Sequence, residues 1–213
     1  MLLTRAKEPF DSAEFLFELK IDGFRCLTYI ENGACRLLSR NGHVFRGFDE
    51  LCRALAESLK VKDAILDGEL CCLGKDGRSM FNLLLFRKGL PYYYAFDLLW
   101  LNGRDLRKWP LMKRKEKLRA VIPEIPSRIL FTPHLDGQGI RLFHEACKID
   151  LEGIVAKKKD APYYSDERHT AWVKIENPPY SQIQGRHELF SEARRDRAPP
   201  KIGGVEQIWL DMP

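Results

Sequence analysis

Glu18-Leu19-Lys20-Ile21-Asp22-Gly23-Phe24-Arg25 sets a lysine between two apolar residues, follows it with an acid and a glycine, and ends on an arginine. A protonated lysine is a poor nucleophile, and a desolvated, cation-rich pocket is what makes such an amine reactive. Alone, Lys-x-Asp-Gly is a weak pattern, because a lysine near a turn is commonly a solvated surface residue. It gains weight only if partners of matching chemistry recur downstream. Around the run, Phe15 to Lys20 reads as one strand and Arg25 to Ile30 as a second. Glu31-Asn32-Gly33 is a turn signal, so Ala34 to Arg40 returns as the partner strand.

Further out, the spacing of Leu51, Leu55 and Leu59 predicts a helix over 49–60. Strands are expected over 65–73, 92–101, 128–131, 154–157 and 172–176. Pro110 opens a helix to about Val121 with an exposed face rich in Lys and Arg, and 139–148 is a further helix. Many hairpin-like strands with few helices predict an α+β fold built on antiparallel sheet, rather than a doubly wound one. After Glu176 apolar residues become scarce, and Asn177-Pro-Pro, Ala198-Pro-Pro and Gly203-Gly204 punctuate the chain. Residues 1–176 are therefore expected to form one domain and 177–213 a poorly structured tail.

The chain has 213 residues, 45% of them hydrophobic and 31% charged, which supports a sizeable core and argues against global disorder. The net charge of +5 is compatible with nucleic acid or nucleotide polyphosphate without being diagnostic. No apolar stretch reaches the roughly 18 residues of a membrane span, and Met1 to Phe10 lacks the apolar core of a signal peptide. The six cysteines form no Cys-x-x-Cys pair and read as reduced core thiols. The expectation is a monomeric cytoplasmic protein.

Four later stretches supply partners for Lys20. Asp67-Gly68-Glu69 puts two carboxylates on one face of a strand, where they repel unless a cation or sugar hydroxyls engage them. Tyr94-Ala95-Phe96-Asp97 offers either a core aromatic or a face on which a purine stacks. Glu152-Gly153-Ile154-Val155-Ala156-Lys157 brackets an apolar run with an acid and a lysine. Trp172-Val173-Lys174-Ile175-Glu176 alternates, so Lys174 and Glu176 point the same way. No Gly-x4-Gly-Lys-Ser/Thr loop occurs, so any nucleotide phosphates must be held by lysine and arginine side chains.

In set and order these stretches resemble the motifs of the nucleotidyltransferase (adenylation) domain of ATP-dependent DNA ligases, a group with an antiparallel-sheet, ATP-grasp-like fold. Lys20 to Arg25 is similar to motif I, Ser39-Arg40-Asn41-Gly42 to motif Ia, and Asp67 to Glu69 to motif III. Tyr94 to Gly103 is similar to motif IIIa, Glu152 to Lys157 to motif IV, and Trp172 to Lys174 to motif V. The resemblance implies that Lys20 attacks ATP to give lysyl-AMP, which passes to the 5′-phosphate of nicked duplex DNA. It further implies that Glu18 reads the adenine amino group, Phe96 stacks on the purine, and Asp22, Arg25 and Glu69 belong to the nucleotide site. Arg40 would contact the nick phosphate side, Lys157 and Lys174 would brace phosphates, and Glu152 with Glu69 would hold Mg2+.

Two features depart from the family pattern. Motif V normally carries Lys-x-Lys, and here the second position is Glu176, which is expected to slow self-adenylation. The forty or so residues after Glu176 are too few for the OB-fold barrel of such ligases, so a separate OB-fold or repair protein is an expected partner. A weakened nucleotide- or DNA-binding remnant and an RNA ligase of the same superfamily stand as alternatives.

Overall fold

A computed structural model describes residues 1–124, 127–166, 168–186 and 188–190. Two sheets carry the fold. The first has the order β1 (Thr4–Arg5), β11 (Trp172–Glu176), β10 (Gly153–Lys158), β2 (Phe15–Leu19), β9 (His134–Asp136). The second runs β4 (Ala34–Ser39), β3 (Phe24–Glu31), β5 (Asp63–Cys72), β6 (Pro91–Leu101), β7 (Arg104–Asp105), with β8 (Ile129–Phe131) parallel to β6. Apart from β8 on β6 and β1 on β11, every pairing is antiparallel. Mixed α+β architecture with antiparallel sheets is thus what the hairpin pattern predicts.

Helices α1 (Asp49–Ser58) and α3 (Leu111–Val121) cover the second sheet, and α4 (Gly139–Lys148) covers the first. In β3 the alternation is clear: Cys26, Thr28 and Ile30 are buried while Arg25, Leu27 and Tyr29 are half-buried. The inward residues join Leu51, Leu55, Leu66, Leu98 and Leu118 in the main core. A smaller core of Phe17, Ala146, Ile154, Ala156 and Ile175 lies under α4. All six cysteines are free thiols, with Cys26, Cys71 and Cys72 buried.

The long elements fall within a residue or two of their expected bounds. The short ones, β1, β7, β9 and α2 (Phe81–Leu85), have two to five residues and offer no period to read. Two features go beyond the sequence pattern. Beside an exposed face that carries Lys113, Lys117 and Arg119, α3 buries two basic residues: Arg114 is 0% and Lys115 2% exposed, each turned onto a buried carboxylate. The tail is not unstructured at its start, because Asn177 and Tyr180 are buried and Ser181–Ile183 forms a 3-10 turn. Its anchors are side-chain hydrogen bonds to the body, which apolar patterning does not register. Residues 191–213 lie outside the described residues.

Candidate active site

The chain crosses from the first sheet to the second between Leu19 and Phe24, so Lys20-Ile21-Asp22-Gly23 is the connection that joins them. The Lys20 amide donates to the Gly153 carbonyl at 2.9 Å, extending the β2–β10 ladder by one residue and fixing where the side chain leaves the sheet. Two glycines make this approach possible. A Cβ on Gly23 would lie 2.2 Å from the Leu70 carbonyl oxygen. Gly153 has φ +137°, and a Cβ there would meet the Ile175 carbonyl oxygen at 2.1 Å.

Lys20 Nζ lies 2.6 Å from Glu152 Oε1. The other oxygen, Glu152 Oε2, is buried with no hydrogen-bond partner among the described residues. Burial pushes the Glu152 carboxyl up, against Lys20, which pulls it down. Glu69 pairs with Arg25 across β3 and β5, and burial pushes its carboxyl up to about 8 despite Lys20 and Arg25, with Glu152 adding repulsion. A buried carboxylate with a free oxygen, close enough to a second carboxylate to raise it, suits a divalent cation of the Mg2+ type. Among the described residues no group of three or more His, Cys, Asp or Glu could hold a metal. An ion here would need phosphate oxygens to complete its shell.

Glu18, Lys20, Arg25, Glu69, Phe96 and Lys157, all singled out by sequence, line one cavity of about 60 Å3 with Trp172 and Leu3. That is room for about two waters. Phe96 meets Trp172 edge-on, with ring centroids 5.6 Å apart. The Lys157 ammonium sits 4.2 Å from the Phe96 ring and 4.0 Å from the Trp172 ring. Desolvation lowers the Lys157 pKa to about 8, opposed by Glu18 and reinforced by Lys115. Glu18 is 2% exposed, with Lys157 2.5 Å from one oxygen and Lys115 bonded to the other. These two cations outweigh desolvation and hold its carboxyl below the usual range.

Asp22, Arg40, Glu152 and Lys174, also named by sequence, do not line this cavity. Arg25 grips Asp67 through two hydrogen bonds of 3.1 and 2.6 Å, and Tyr163 donates to the same carboxylate at 2.8 Å. Arg40 lines a neighbouring cleft of about 530 Å3 that Arg25 and Asp67 also border. Lys174 lies 2.7 Å from Glu176 Oε1, and Arg5 of β1 reaches Glu176 Oε2 at 3.2 Å. Asp22 is 3% exposed and bound from beneath by Tyr180 and Arg186, away from the cavity.

Sequence reasoning missed Lys115, Arg114, Tyr180 and Arg186. A signal for the first two existed: Lys115 is four residues after Leu111 and three before Leu118, on the buried stripe of α3. Arg114 forms a double hydrogen bond of 2.8 and 2.8 Å with Asp97, both side chains 0% exposed, and so fixes α3 to β6.

Comparison with known proteins identifies the family. The family described as "ATP dependent DNA ligase domain" matches residues 3–176. The multifunctional non-homologous end joining protein LigD of Pseudomonas aeruginosa is 37% identical over 171 residues, covering 76% of this chain and 20% of that protein. The solved ligase domain of M. tuberculosis LigD superposes with a TM-score of 0.71 at 31% identity, over 82% of this chain and 58% of that one. A mycobacterial DNA ligase D complexed with ATP and MES gives a TM-score of 0.68 at 29% identity, with the same coverage. The chain thus spans a fifth of the first of these relatives and somewhat over half of the solved domains. With a family match over most of its length and a fold shared with solved ligase domains, this chain belongs to the ATP-dependent DNA ligases, as an adenylation domain.

Proposed function

We propose that this chain carries out the adenylation chemistry of a DNA ligase, with Lys20 as nucleophile. The Lys20 amine attacks the α-phosphorus of ATP. A P–N bond forms, the bond to the bridging oxygen breaks, and pyrophosphate leaves with the electron pair. A 5′-phosphate oxygen at a DNA nick then takes the adenylyl group from Lys20, and the neighbouring 3′-hydroxyl displaces AMP. The observation that carries the reading is Lys20 at the mouth of an aromatic and cationic cavity, 2.6 Å from Glu152.

Chemistry of this kind is mostly positioning and charge neutralisation. Phe96 and Trp172 supply the purine-facing walls, with the Lys157 ammonium against both rings. Both Glu18 oxygens are held by lysines, and each keeps a lone pair that can accept from an adenine amino group. Lys174 braces phosphate, and Arg40 faces the nick from the adjoining cleft. Glu69 and Glu152 would hold Mg2+, which would neutralise phosphate charge there.

The test is intact mass spectrometry of the protein before and after Mg-ATP. A gain of one adenylyl group that is absent in Lys20→Ala supports the reading, and no gain in wild type refutes it. A second reading, a weakened nucleotide-binding remnant, draws on Glu176, whose carboxylate engages Lys174 at 2.7 Å. Nucleotide binding without adduct would favour it.

A further inference from the structure

The segment after β11 returns to the nucleophile from below. Asn177 donates from its backbone to the Glu152 carbonyl at 3.0 Å and from Nδ2 to the Leu151 carbonyl at 2.9 Å. Ser181 binds both Asp150 oxygens, through its amide and its hydroxyl. Tyr180, 2% exposed, donates to Asp22 Oδ2 at 2.8 Å, and Arg186 reaches the same oxygen at 2.6 Å. Gln182 closes the set on the Ser79 carbonyl and the Phe81 amide. One continuous strap therefore grips residues 150–152 on one side and Asp22 on the other. These are the flanks of the Lys20–Glu152 pair.

We infer that residues 177–186 are a positioning strap for the nucleophile, with Tyr180 and Arg186 as its positioning residues acting through Asp22. The physical reason lies in burial. Asp22 is 3% exposed, and a buried carboxylate must be paired. Arg186 is its cationic partner and Tyr180 its hydroxyl donor. Without them, Asp22 has to seek water or another cation, and the nearest in sequence is Lys20, two residues away in the same connection. Either response moves the amine, and displacement on the order of 1 Å can cost about a hundredfold in rate.

The inference rests on the adenylation reading, so its test has one arm that does not. Lysyl-AMP formation is followed with radiolabelled ATP and Mg2+ in the full chain, in Tyr180→Phe, Arg186→Gln and Arg186→Lys. The expected result is a maximal rate lower by about tenfold or more in Tyr180→Phe and Arg186→Gln, ATP half-saturation within about threefold, and recovery in Arg186→Lys. The independent arm is hydrogen exchange without nucleotide, where the amides of 20–24 should lose protection in Arg186→Gln while those of β6 keep theirs. Wild-type rates in both Tyr180→Phe and Arg186→Gln would overturn the strap. So would protection lost equally in β6, which marks general destabilisation. If wild type forms no adduct, the adenylation reading fails, and exchange alone decides: unchanged protection at 20–24 overturns the strap, and local loss supports it.

Discussion

Lys20 Nζ and Glu152 Oε1 lie 2.6 Å apart, which ties the connection between the two sheets to the start of β10. The pair places a carboxylate beside the proposed nucleophile, and the other oxygen of that carboxylate has no protein partner among the described residues. Glu152→Gln keeps the shape and removes the charge. Lysyl-AMP formation at saturating Mg-ATP is expected to fall by about a hundredfold, the scale of losing one charge-stabilising group from a polar active site. Single-turnover labelling measures it, and a fall of less than about threefold would remove Glu152 from the mechanism.

Glu176 bridges Lys174 and Arg5, so two cations spend part of their field on one carboxylate. Burial pushes its carboxyl up, but Lys174, Arg5 and Lys20 together hold it below the usual carboxylate range. In Glu176→Lys the bridge becomes a third cation beside the phosphate path. The rate of adduct formation is expected to rise by about tenfold, equivalent to about 1.4 kcal/mol of transition-state stabilisation. No rise in the same labelling assay would show that Arg5 and Lys174 already supply what the phosphates need.

The strands and the site were legible to different depths. Periodicity located every element long enough to show one, and the order of charged motifs brought Glu18, Lys20, Arg25, Glu69, Phe96 and Lys157 to one cavity. Sequence gave no access to contacts whose partners are far apart in the chain and carry no apolar period. Tyr180 and Asp22 are 158 residues apart, and the strap that joins them reads as Pro, Tyr, Ser and Gln. Lys115 reads as surface charge until the Glu18 carboxylate is found beneath it.

Arg114 and Asp97 form a fully buried pair that holds α3 against β6. Arg114→Leu leaves the Asp97 carboxylate buried without its cation, at a cost of about 3–5 kcal/mol. Denaturant unfolding should show that loss as a lower midpoint with an unchanged slope. The double variant Arg114→Leu with Asp97→Leu is expected to recover a large part of it, because no orphaned charge remains. An equal or greater loss in the double variant would mean that the pair contributes more than mutual compensation.

Lys157 gives a pH dependence with a defined sign. Desolvation lowers its pKa from 10.5 to about 8 in the folded protein, with Glu18 opposing and Lys115 reinforcing. Between pH 8 and 10.5 the unfolded chain therefore binds more protons at this position than the folded one. Stability from this group rises with pH across that window and is flat below it. Lys157→Met removes the titration while keeping most of the volume beside Phe96 and Trp172. The stability of wild type relative to Lys157→Met should therefore increase from pH 8 to pH 10, with other lysines cancelling in the difference. A difference that stays constant or falls would place the ammonium in a solvated setting rather than against the two rings.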